Sequence, residues 1–100
     1  MKKIYILCAA IWFNDGKTYV HQPVNIKTGF VVCGQRHHNC FIIFSILKNE
    51  DYKRTDYGDL VQGFLTSDNK FVNRKEGGRI AFKANQIVKK TDCLFSEDLY

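Results

Sequence analysis

A chain of 100 residues that is 45% hydrophobic and 14% aromatic is too short for two ordinary domains and too apolar to stay disordered, so residues 1–100 read as a single domain. Its net charge of +5 and pI near 9.1 favour anionic partners by long-range attraction: nucleic acid, a nucleotide or a phosphorylated metabolite. No apolar run approaches the ~20 residues of a membrane-spanning helix, so no membrane partner is expected, and the cysteines at 8, 33, 40 and 93 lack the Cys-x-x-Cys spacing of zinc ribbons and thioredoxin-type sites.

Residues 4–13 are apolar almost throughout, which predicts a strand covered on both faces and therefore central in its sheet. With Met1-Lys2-Lys3 ahead of it this run imitates a secretory signal, but no small-x-small cleavage site follows. Cys8 and Cys33 lie inside apolar runs and read as small buried hydrophobes, so reduced thiols and a cytoplasmic setting are expected. Asn14-Asp15-Gly16 is a turn sequence, and Thr18-Tyr19-Val20 is expected to resume as the second strand of a hairpin. Pro23 then marks a break within a connecting loop over 21–28, and residues 29–33 form a short buried strand ending at Gly34.

A polar heptad, Gly34-Gln35-Arg36-His37-His38-Asn39-Cys40, separates that strand from the apolar run that continues to Leu47. Residues 40–47 lack polar alternation, so periodicity admits either helix or strand. A helix is favoured, because its start would aim free backbone N–H groups and the positive dipole end at the histidines. Residues 48–59 are charged and read as an exposed loop, with Tyr52 and Tyr57 offering faces on which a base could stack. A strand follows over 60–66, then a tight turn at Ser67-Asp68-Asn69-Lys70, then Phe71-Val72 in extended form. Asn73-Arg74-Lys75-Glu76 has the form of a helix cap, and Ile80, Ala81, Ala84, Ile87 and Val88 make one stripe, which predicts a helix over 73–88. Gly77 and Gly78 weaken that helix by roughly 1 kcal/mol each relative to alanine, a loss that close approach of a backbone or ligand would explain. Residues 93–100 read as a last strand or half-turn. The expected fold is α+β: a mainly antiparallel sheet of four or five strands with two helices packed on it.

The heptad is the leading candidate site. Arg36 offers a permanently charged, forked donor set for phosphate, with His37, His38 and Asn39 beside it as further polar contacts. Six Lys/Arg against two acids in residues 1–50, compared with nine against eight in 51–100, places the basic excess in the same half. Against this stands a purely structural reading, in which a histidine bonds a carbonyl or caps the helix and Arg36 pairs with the acidic tail. His37, His38 and Cys40 fall short of a closed tetrahedral metal set, and Cys40 leads into an apolar run where a thiol is inert, so neither a metal nor a cofactor is assigned. Arg74 and Lys75 stand in a helix's first turn, where a positive charge has no intrahelical reason, and are assigned to an anion. Glu97 and Asp98 are assigned to a base or to ribose hydroxyls, against the plainer reading of a solvated acidic end.

Arg36-His37-His38-Asn39-Cys40, Gly63-Phe64-Leu65-Thr66, Phe71-Val72-Asn73-Arg74-Lys75-Glu76 and Leu94-Phe95-Ser96-Glu97-Asp98-Leu99-Tyr100 together resemble a family of small bacteriophage proteins, over most of the chain. The family pattern is similar to Arg-His-x-x-Cys, then Phe-Val-x-Arg-x-Glu, then Ser-Glu-Asp-Leu followed by an aromatic residue. Gly77-Gly78 departs from it, standing where alanines are more usual, which puts the local helix packing in question. The resemblance carries over no activity, but phage proteins of this size often counter host defence, some by enclosing nucleotide second messengers. The expectation is a protein that sequesters a small phosphorylated nucleotide without catalysis in the host cytoplasm, with Arg36 as principal anchor. A homodimer is expected from the aromatic-rich composition. The competing expectations are a nucleotide-processing enzyme using His37 or His38, a nucleic-acid binder, and a protein inhibitor.

Overall fold

The structure, a computed structural model, describes residues 3–47 and 60–99. The expected loop over 48–59 lies outside the described residues. Four strands, β1 (Ile6–Phe13), β2 (Phe30–Gly34), β3 (Leu60–Thr66) and β4 (Phe71–Asn73), form one sheet in the order β2-β1-β3-β4. Every neighbouring pair is antiparallel. Among the described residues, two helices, α1 (His37–Leu47) and α2 (Arg74–Lys83), join the sheet in an α+β fold, and Ser96–Asp98 adds one 3-10 turn near the end.

β1 is central, as a strand apolar on both faces must be. Ala9 sits between Gly34 and Phe64, and Ile11 between Val32 and Gln62. β2 and β3 both run against β1 and are therefore parallel to each other, and α1, which follows β2 in the connection between them, packs over β2 and β1. Ala9, Ile11, Val32 and Phe64 share one face, where Cys40 and Phe44 of α1, Ala81 of α2 and Leu94 close over them. Phe13, Phe30 and Phe44 pack ring against ring at centroid distances of 5.3 to 6.1 Å. Rings at these separations favour tilted and offset contact.

The opposite face carries Cys8, Ala10 and Trp12 of β1 and is held by the segment between β1 and β2. Asn14-Asp15-Gly16 does turn, with Gly16 at φ +80° and the Asn14 carboxamide accepting the Gly16 N–H. Thr18-Tyr19-Val20 is not a strand, however, and the partner of β1 is β2 itself. Side chains explain the difference. Tyr19 donates to Asp15 and stacks edge-on against Phe30, while Gln22 accepts the Val31 N–H on β2. Asn25 both accepts from the Phe71 N–H (2.9 Å) and donates to its carbonyl (2.7 Å) on β4, and Trp12 Nε1 donates to the Thr28 carbonyl. One loop thus supplies hydrogen-bond partners to both edge strands.

α2 is shorter than its apolar stripe predicts. It ends at Lys83, Asn85 takes φ +62°, and Val88 is 93% exposed rather than packed. The chain turns there because Gln86 is drawn away: its carboxamide accepts the Ile6 N–H (2.7 Å) and donates to the Ile6 carbonyl (2.8 Å), tying this segment to the start of β1. Among the described residues, no helix is long and apolar enough to cross a membrane.

Candidate functional site

α1 begins at His37, and the polar heptad supplies its first turn. The Arg36 carbonyl accepts the Asn39 and Cys40 N–H groups, and the Asn39 carboxamide accepts the Arg36 N–H, closing the turn from its third position. Arg36, His38 and Asn39 are exposed there, whereas His37 and Cys40 point inward. The Cys40 thiol, buried and pushed up to about 12 by that burial, donates to the Arg36 carbonyl.

His37 is the convergence point of the three motifs. Its ring lies edge-on to Phe64 at 5.1 Å, and Nε2 faces the Gly63 carbonyl at 2.8 Å. A carbonyl only accepts, so Nε2 carries the hydrogen and Nδ1 is left to accept from the buried Ser96 hydroxyl at 3.4 Å. Ser96 Oγ in turn accepts the His37 backbone N–H. Arg74 lies close enough for its charge to act on the ring, and its guanidinium donates to the Leu94 carbonyl and to Gln62 Oε1, each at 2.6 Å, with the Phe95 ring 4.9 Å away. The tertiary partners of Arg74 thus give a reason for a cation in the first turn of α2. Asp98 accepts the Phe95 N–H and closes the terminal turn, and Glu97 is exposed near His37.

Burial first, and the Arg74 charge after it, hold the His37 imidazole below its ordinary pKa of 6.5, against the raising effects of the Gly63 carbonyl and Glu97. The unfolded imidazole therefore protonates near 6.5 and the folded one only at lower pH, so acid favours the unfolded chain. Stability is expected to be fully present above about pH 6.5 and to fall below it. Chemical-denaturation midpoints at about pH 7.5 and 5.5, taken in a Cys8→Ser background so that the lowered Cys8 thiol does not titrate in the same window, isolate this effect, because carboxylates titrate lower. A midpoint that rises on acidification contradicts the assignment.

Lys75 belongs to a second place. A cleft of about 350 Å³ runs along the outer side of α2, lined by Lys75, Glu76, Gly78, Arg79, Phe82 and the segment Lys90-Thr91-Asp92, with Asn73 at its end. Lys75, Gly78, Arg79 and Phe82 fall on one side of α2 by their spacing. Gly78 lets the two walls meet: a side-chain carbon there would overlap the Thr91 carbonyl and lie 2.9 Å from its Cγ2. Arg79 pairs with the Glu76 carboxylate and holds its pKa below the usual range, while the Asn73 carboxamide caps the helix on the Glu76 N–H. Lys90 Nζ stands over the Phe82 ring at 5.6 Å. With Glu76 neutralised by Arg79, Lys75 and Lys90 outweigh Asp92. A neighbouring cleft of about 510 Å³ shares Lys90 and Thr91 and reaches Asp98.

The structure therefore divides the sequence candidates. His37 and Arg74 meet at the buried junction with Glu97 beside them, Lys75 lines the α2 cleft, Asp98 borders the second cleft, and Arg36, His38 and Asn39 stand at the start of α1. Arg79, Phe82 and Lys90 were not singled out by motif. The spacing of Lys75, Arg79 and Phe82 at i, i+4 and i+7 was the available signal for the first two, but Lys90 reaches the cleft only through the turn after α2. Among the described residues, no group of three or more His, Cys, Asp or Glu is arranged to hold a metal.

No curated protein and no solved structure matches the chain. A family model does, that of the phage T4 y16D protein, over residues 5–100. That span includes the junction residues His37, Arg74 and Ser96 and both walls of the α2 cleft, and the chain belongs to the phage T4 y16D protein family.

Proposed function

We propose that this phage-family protein binds a small phosphorylated nucleotide in the cleft beside α2 and sequesters it without turnover. The observation that carries the reading is the cleft itself: a volume within the range of small-molecule sites, two lysines not offset by its carboxylates, and an aromatic ring among its walls. Lys75 and Lys90 supply point charges for phosphate, the Thr91 hydroxyl and Asn73 supply polar contacts, and the Phe82 ring supplies apolar surface for a base. The lining contains neither histidine nor cysteine, and His37 is buried with both ring nitrogens engaged, which supports binding rather than acid–base chemistry. In an infected cell such a protein would act in the cytoplasm, lowering the free concentration of a host nucleotide.

The test is a thermal-shift screen of mononucleotides, cyclic dinucleotides and cyclic ADP-ribose isomers, followed by titration calorimetry and mass spectrometry of the recovered ligand. Lys90→Glu is expected to weaken binding roughly tenfold to a hundredfold, the effect of losing a charge-assisted contact, while the melting temperature changes little. The start of α1, with Arg36, His38 and Asn39, is the competing place for the phosphates, and Arg36→Ala is titrated in parallel. Loss of binding in Arg36→Ala but not Lys90→Glu moves the site to α1. Absence of any stabilising nucleotide, or recovery of a cleaved one, overturns the proposal.

A further inference from the structure

Two of the four cysteines are brought together on the face of the sheet opposite the helices. Ala10 pairs with Cys33 across the β1–β2 ladder, and Cys8 lies two residues before Ala10 on the same side of β1. Cys8 and Cys33 are thus diagonal neighbours, close enough for each thiol to act on the other's ionisation. Both are half-buried, so a small solute can reach them, whereas Cys40 is fully buried on the helix side and Cys93 is exposed on the terminal segment. The regular ladder is interrupted beside this pair: β1 shifts its register against β3 between Ile6 and Cys8, and β2 ends at Gly34, immediately after Cys33. A modest approach of the two sulfurs falls where the strands can yield.

We propose that Cys8 and Cys33 form an oxidisable dithiol, a modification site at which a hydroperoxide oxidises Cys8 and Cys33 then closes an intramolecular disulfide. In the first step the Cys8 thiolate attacks one peroxide oxygen. The S–O bond forms, the O–O bond breaks, and the leaving hydroxide, or alkoxide for an organic peroxide, is protonated, giving Cys8 sulfenic acid. In the second step the Cys33 sulfur attacks the Cys8 sulfur. The S–S bond forms, the S–O bond breaks, and the departing hydroxide takes the Cys33 proton as water. Two thiols lose two electrons in total and one peroxide gains them.

The roles of the two sulfurs differ in a way that suits this order. The neighbouring Cys33 thiol, helped by the Gly34 N–H, lowers the Cys8 thiol despite burial, while the Cys8 neighbour and burial raise Cys33. Cys8 is therefore the attacking thiolate and Cys33 the protonated resolving thiol. A crosslink here would fasten β1 to the end of β2 directly before the Arg36 stretch, fixing the base of α1.

The full chain, reduced and freed of reductant, is treated with hydrogen peroxide, quenched with an alkylating agent and mapped by peptide mass spectrometry, with circular dichroism confirming the native state. The expected result is a Cys8–Cys33 linked peptide lacking two hydrogens, formed within one chain. In Cys33→Ser, dimedone should trap sulfenic acid on Cys8. Before oxidation, iodoacetamide at neutral pH should alkylate Cys8 ahead of Cys33. Oxidation confined to Cys93, or Cys8 linked only to a second chain, overturns the proposal. Both outcomes are read on the wild-type protein, so the folding of a serine variant does not decide the matter.

Discussion

Gly78→Ala is expected to destabilise the protein by about 1 to 3 kcal/mol, although alanine is the better helix former by roughly 1 kcal/mol. The two effects oppose each other, and geometry decides which wins. The added carbon would overlap the Thr91 carbonyl, a backbone atom that cannot swing aside as the end of a side chain can, so the 90–92 segment must lift from α2. That movement would also open the cleft, separating Lys90 from Lys75. Gly77→Ala is the informative contrast. Its carbon would meet Phe64 Cδ2 at 3.0 Å and Leu94 Cδ2 at 3.5 Å, side-chain atoms that can give by a few tenths of an ångström, so its loss should be the smaller. For a domain of this size each kcal/mol corresponds to roughly 4 to 8 °C, so differential scanning calorimetry resolves the pair. An unchanged or raised melting temperature in Gly78→Ala would show that Thr91 does not rest on the helix.

The glycine pair shows how far residue-level reading reaches. Two glycines in a helix require a close neighbour, and the sequence expresses that need without naming Phe64 or Thr91, which arrive from β3 and from the segment after α2. Elements governed by local rules were legible in the same way. The two-faced apolar run became the central strand, Asn73 caps α2 on the Glu76 N–H, and Asn69 turns at φ +62° between β3 and β4. What was not legible depends on distant partners. Thr18-Tyr19-Val20 has strand composition, but Gln22 and Asn25 draw its loop across the sheet to Val31 and Phe71. The stripe through Val88 is helical in spacing, but Gln86 finds the Ile6 backbone and the helix stops first. Residues 40–47 could not be phased because α1 is apolar on its outer side as well, with Ile43 41% and Ile46 71% exposed. Within the candidate site, the charge pattern suggested a place for an anion, while the meeting of α2 with Lys90 rests on a turn that no periodicity encodes.

Arg74→Met is expected to cost about 2 to 3 kcal/mol and to loosen the terminal segment before the rest of the domain. Methionine keeps much of the volume and apolar stem of arginine, so the loss reports the guanidinium. Its donors satisfy the carbonyl of Leu94, the residue whose fully buried side chain completes the core, and charge-assisted hydrogen bonds of this kind contribute roughly 1.5 to 3 kcal/mol. The contact with the Phe95 ring and the bond to Gln62 go with it, although Gln62 is exposed and water can replace that partner. Arg74→Lys should recover only part of the loss, since one ammonium cannot serve Leu94 and Gln62 with the same flat fork. Hydrogen exchange locates the effect. The Leu94 N–H, which donates to the Arg74 carbonyl, and the Leu99 N–H, which donates to Ser96, should lose protection first, while the β1–β3 ladder keeps its own until global unfolding. The substitution removes the Arg74 charge and, by loosening this segment, part of the burial that hold the His37 imidazole down, so the variant's histidine should titrate closer to its ordinary range by nuclear magnetic resonance. Equal protection of Leu94 in variant and wild type would separate the guanidinium from the anchoring of the chain end.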